Sequence, residues 1–148
     1  MNPSPLQLER HFFTRIQLEA NPGGKPELGN LLHSQVEVGR APEDQKRFQV
    51  VLRLKLQSPA DGQACYTGQI DAVGLFRVVD SWPEDRILDL VQANGAALVF
   101  GAIREMVCNL TARGPWPQVT LQTVTFVQPK VKALASPARG VKPATVEK

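Results

Sequence analysis

The chain has 148 residues, 43% of them hydrophobic and 21% charged, which is one domain's worth of sequence with enough apolar mass for a core. Its net charge of +3 is unevenly spread: residues 1–127 hold 12 Lys and Arg against 13 Asp and Glu, whereas Lys130, Lys132, Arg139, Lys142 and Lys148 face only Glu147. A near-neutral folded part argues against a nucleic-acid-binding domain, which carries its cations on a folded face.

No apolar run reaches the ~20 residues of a membrane-spanning helix. The polar start, Met1 to Arg10, lacks the apolar stretch of a secretory signal. Cys65 and Cys108 stand too far apart for a metal or redox motif, so a cytoplasmic setting with reduced thiols is expected.

Leu8 to Ala20 alternates. Leu8, Phe12, Ile16, Leu18 and Ala20 are apolar, and Glu9, His11, Arg15, Gln17 and Glu19 are polar, with Phe13 out of step. Period two predicts a strand with one buried face. Asn21-Pro22-Gly23-Gly24 breaks it. A shorter alternation follows over His33 to Val38. Phe48 to Gln57 is cleaner, with Phe48, Val50, Leu52, Leu54 and Leu56 on one face. Ala64 to Val79 predicts a fourth strand with Tyr66, Ile70, Ala72, Phe76 and Val78 inward. Gly68 and Gly74 within it mark bulges or a close backbone approach.

The period then changes. Ser81 is a candidate N-cap for a short helix from Pro83 to Gln92, and Asn94-Gly95 interrupts it. Ala96 to Arg113 is the main predicted helix, with an apolar stripe of Phe100, Ile103, Val107 and Leu110. Gly114-Pro115 stops it. Trp116 to Phe126 is expected to be extended, and residues 128–148 to form a basic, Pro/Ala/Lys-rich disordered tail.

The expected fold is α+β: a four-stranded antiparallel sheet with one long helix, plus a short one, on one face. Four strands at ~4.8 Å spacing make a face roughly 19 Å wide. One helix spans only about 10–12 Å. The uncovered remainder needs the short helix, a second copy of the chain or an extended apolar ligand.

Catalytic chemistry finds little support. His11 and His33 lie on polar strand faces, and no metal-ligand or phosphate-cradle motif occurs, so no metal or cofactor is expected. Gly101 in mid-helix costs ~1 kcal/mol against alanine. With Ala97 one turn earlier, it makes a flat strip for close packing of another element.

Several strings resemble the SecB family of bacterial export chaperones. The longest runs from Ala102 to Leu121 and includes Arg104-Glu105, Arg113-Gly114 and Pro117-Gln118. It is followed by Val124-Thr125-Phe126, and Gly74-Leu75-Phe76, Val50 to Leu54 and Arg15 to Ala20 add to the match in consistent order. The resemblance implies a non-enzymatic holdase that binds unfolded polypeptides, a homo-oligomer (dimer or tetramer) assembled through helices, and delivery of clients to the SecA motor. Relatives outside export serve antitoxins, so a dedicated scaffold for one partner is the alternative.

Phe100, Ile103, Val107, Trp116, Leu121 and Phe126 are the candidate groove or subunit contacts. Glu19, Gln69 and Asp71 are the candidate partner-docking residues. Three departures from the family stand out. A second long helix after Phe126 is missing from the pattern. Arg15, Thr67 and Gln69 occupy a docking face that is acidic in the family, which argues against SecA docking. The chain is also not acidic overall.

Overall fold

The computed structural model describes residues 1–126 and the short strand at 145–147. Four long antiparallel strands form the sheet: β1 (Leu6–Ala20), β2 (Leu31–Arg40), β3 (Arg47–Gln57) and β4 (Tyr66–Val78). Their order is β1-β4-β3-β2, and β5 (Thr145–Glu147) adds a fifth strand at the free edge of β2. The expected tail, and the domain boundary expected at residue 127, otherwise fall outside the described residues.

β3 follows its sequence pattern without interruption: Phe48, Val50, Leu52, Leu54 and Leu56 are all buried. β1 does not. Its register against β4 shifts between Leu8 and Arg10 and again between Phe13 and Arg15. Each shift inserts one residue and reverses which side the next residues face. Leu8 lies opposite Phe76, Phe13 opposite Ala72, and Ile16 opposite Ile70, all on the helix side. Phe12 lies opposite Val73 on the far side, where Arg10 sits 5.2 Å over its ring. The expected order is therefore corrected: Phe13 and His11 face the helix, and Phe12 faces away.

Gly68 is placed where β1 runs closest. A Cβ there would strike the Gln17 carbonyl oxygen of the neighbouring strand. Gly74 lies beneath the helix, where a Cβ would stand 2.8 Å from Val99 Cγ2.

Residues Glu84–Thr111 form one continuous helical segment of 28 residues. It opens with a 3-10 turn at Glu84–Arg86, then α1 (Ile87–Leu90), a π turn at Val91–Gly95, and α2 (Ala96–Thr111). The expected break at Asn94-Gly95 is instead the wider π turn. Gly95 settles there against β3, so close that a Cβ would stand 3.0 Å from Val50 Cγ2. Ser81 does not cap the helix, because Pro83 holds the cap position and no side chain bonds there.

By length and composition this segment could cross a membrane, contrary to the expectation from the sequence. The fold uses it as a core helix: Val99, Phe100, Ile103 and Val107 are buried against the sheet. After α2 the chain turns and Trp116–Phe126 returns as extended coil without strand pairing.

Candidate functional site

The helical segment roofs the middle of the sheet and leaves two margins. On the β1 side, the apolar row is sealed at Leu6 and partly open beyond it. Leu8 is 39% and Ile16 49% exposed, whereas Ile70 and Ala72 on the adjacent strand have no exposed surface. Phe13 and Leu18 are only partly buried against the core. Thus the step of one strand goes from a sealed interior to partly exposed apolar side chains on the same face.

On the β2 side, the returning coil makes a wall. A cleft of about 380 Å³ lies between Leu28, Asn30, Leu32 and Cys65 on one side and Pro117–Gln122 on the other. Burial pushes the Cys65 thiol above its ordinary pKa, with Glu27 adding to the effect, so it lines the cleft as a protonated apolar group. A second, narrow apolar slot is lined by Leu32, Leu54, Phe100, Val124 and Phe126. Leu32 belongs to both, so the two depressions meet beside β2. Phe100 and Phe126 pack edge to face with centroids 5.9 Å apart.

Hydrogen bonds fix the wall. Thr111 ends α2 by donating its hydroxyl to the Val107 carbonyl at 2.8 Å, and the same oxygen accepts the Val119 backbone N–H at 2.9 Å. Tyr66 of β4 accepts the Trp116 backbone N–H at 3.1 Å. The Trp116 indole donates to the Asn21 carbonyl, also at 3.1 Å. The coil is thereby tied to the helix end, to β4 and to the turn after β1. Gly114 permits this junction, because a Cβ there would collide with the Tyr66 hydroxyl. Tyr66 and Thr111 carry no sequence signal for this role beyond their polarity at buried positions.

Of the expected contact residues, Phe100, Leu121 and Phe126 line the β2 clefts while remaining mostly buried, and Trp116 is half-buried at the start of the wall. Ile103 and Val107 are corrected: both have no exposed surface and hold the helix to the sheet. Ala97 is exposed on α2, and nothing lies within 4 Å of a Cβ at Gly101. Leu98 beside them is 46% exposed, so this helix surface also faces away from the core.

Glu19, Gln69 and Asp71 lie on the far face of the sheet. Gln69 Nε2 donates to both Asp71 carboxylate oxygens at 2.9 and 3.2 Å. The strand positions beside Asp71 are Arg15 and Arg53, so this face carries mixed charge. Among the described residues no three His, Cys, Asp or Glu side chains converge in a metal-binding group.

Comparison with known proteins follows the same lines. A family model described as preprotein translocase subunit SecB matches residues 19–131. A protein-export protein SecB from Psychrobacter arcticus is 30% identical over 129 residues, covering 83% of this chain and 84% of its own length. One from Acinetobacter baumannii is 29% identical over 128 residues, covering 82% and 80%. A SecB-like chaperone from Mycobacterium tuberculosis, solved in complex with a ChAD peptide from an antitoxin, shares the fold. Its TM-score is 0.63 at 24% identity, over 81% of this chain and 91% of that one.

Proposed function

Because this chain belongs to the SecB family of chaperones, we propose that it holds unfolded polypeptides by burying their extended apolar stretches against the margins that its own helix leaves open. One observation carries the reading: on a single sheet face, Leu8 and Ile16 are open to solvent one strand away from fully buried Ile70 and Ala72. The walled clefts at β2, with Leu32, Phe100, Leu121 and Phe126, offer the more enclosed contact.

The energetics suit a reversible holder. A client segment burying roughly 300 Å² of apolar surface gains about 7 kcal/mol at ~25 cal/mol per Å². Association costs an estimated ~4–15 kcal/mol. One segment therefore binds weakly, and retention needs several contacts on the same chain or on more than one subunit.

The outward strip of Ala97, Leu98 and Gly101 is the surface on which a second copy of the chain would pack. The protein acts by binding and carries out no covalent chemistry. The export role named for its relatives comes to this chain with one reservation built into its surface. Arg15 and Gln69 stand among mixed charges where an acidic docking face for SecA would lie. That favours client holding not coupled to SecA. Service to a single antitoxin-like partner, as in the mycobacterial complex, is the second reading.

The test is dilution of a chemically unfolded protein into buffer with the full chain present, with aggregation followed by light scattering. Suppression at stoichiometric amounts is expected. Unchanged aggregation at roughly tenfold excess would contradict the reading, since mass action then favours the complex at any useful affinity. Capture of many unfolded chains supports general holding, and capture of one stoichiometric partner supports the second reading.

A further inference from the structure

β2 is the edge of the four long strands, and an exposed edge is a template for another extended chain. Here part of that edge is already taken. β5 pairs antiparallel with it in the register His33 to Glu147, Ser34 to Val146 and Gln35 to Thr145. β3 takes the inner edge of β2 along its whole length, and among the described residues β5 is the strand on the outer edge, so most of that outer edge carries no strand. The occupied stretch sits beside the narrow apolar slot, whose lining includes Leu32, Ser34, Phe100 and Phe126. The chain's own residues Thr145–Glu147 thus lie along the path that an extended client would follow by strand addition.

We infer that Thr145–Glu147 is a built-in competitor for the β2 edge, released when a client pairs there. The inference rests on the holdase reading and adds a regulator to it. Two chains cannot use the same backbone donors and acceptors at His33–Gln35, so client pairing across this stretch and β5 pairing exclude one another. Three residues make a short ladder, which is weak on its own. Being part of the same molecule, however, it acts at the millimolar effective concentration typical of tethered segments. A client that pairs along more of β2 can displace it.

If β5 occupies the edge in roughly 70–90% of molecules, the apparent affinity for a client is lowered by the fraction left open, about threefold to tenfold.

The full chain is compared with the double variant Thr145→Pro/Val146→Pro. Proline removes the strand's backbone donors, and replacing two successive residues ensures that one donor pointing at β2 is lost. The probe is reduced, carboxymethylated α-lactalbumin, a permanently unfolded protein, with binding measured by fluorescence anisotropy. Backbone amide exchange at Thr145–Glu147 is followed in parallel. The expected result is exchange slowed about threefold to tenfold in the free chain, loss of that protection when the probe binds, and probe binding about threefold to tenfold tighter in the variant. Exchange at unprotected rates in the free chain, protection that persists with the probe bound, or equal or weaker binding by the variant would each overturn the inference. Protected amides combined with no probe binding by either form would refute the holdase reading itself, and the competition would fall with it.

Discussion

β3 and β1 carry apolar rows on the same face of the same sheet, yet one row is sealed and the other, past Leu6, is partly open. Every helix-side residue of β3 is buried, and the strand runs without a register shift. β1 lies one strand farther from the sheet's middle, beyond β4, and its row is reversed twice by bulges. What separates them is position relative to a roof about 10–12 Å wide, not hydrophobicity. Alternation in a sequence says which side chains share a face. It does not say whether anything covers that face, and the proposed client contacts lie in the uncovered part.

The largest contrast is in stability. Ile103→Ala removes a side chain with no exposed surface from beneath the roof. It is expected to cost about 2–5 kcal/mol in chemical denaturation. Ile16→Ala, at 49% exposure, is expected to cost under about 1 kcal/mol under dilute conditions. Equal losses would mean that the β1 margin is covered after all.

Next is the seam joining the two regions. Gly68→Ala puts a methyl group against the Gln17 carbonyl and must push β1 off β4, with an expected loss of about 1–3 kcal/mol. Faster amide exchange should appear in β1 and not in β3. Loss spread evenly over the sheet would show that the seam is not the weak line.

The sequence made much of this legible. The four strands, the stripe of α2 and the Gly114 stop follow from spacing and turn chemistry. The facing of Phe12 and Phe13 did not, because a bulge residue such as Glu9 or Thr14 looks like any other strand residue until its partner strand is known. The break expected at Asn94-Gly95 became a π turn, since the Gly95 backbone can approach Val50 more closely than a side chain would allow. Ile103 and Val107 were legible as apolar but not as interior, because a helix stripe looks alike whether it meets the sheet or a partner. The ties made by Tyr66 and Thr111 join residues far apart in the chain, which no local pattern records.

A smaller effect distinguishes the outer helix surface. Gly101→Ala meets open space within the chain and should raise stability by up to about 1 kcal/mol through helix propensity. If a second copy packs on Ala97 and Gly101, the same change should weaken self-association as the fold becomes more stable. Stability and association rising together would remove this surface from the assembly.

The smallest effect lies at the roof's far end. Arg40 bonds Glu84 at 2.7 Å, with Lys46 at 3.6 Å. The Arg40 hydrogen bond holds the Glu84 carboxyl below its ordinary value of 4.5 despite some opposing desolvation. A carboxyl with a lowered folded-state pKa stabilises above its unfolded value and loses that contribution as pH falls through the folded one. Thermal melts should show a slight loss in Glu84→Gln at neutral pH that disappears in acid. A difference that stays constant or grows as the carboxyl is protonated would contradict this, within the small effects expected of an exposed pair.

This chain exposes apolar sheet that its own helix leaves uncovered, and in the proposed function that excess binds other chains. Molar mass by light scattering, for the purified protein alone and with reduced, carboxymethylated α-lactalbumin, tests it directly. A particle heavier than the 16.3 kDa chain is expected in at least one condition, through self-association or a stable complex. A mass of one chain in both conditions would contradict it.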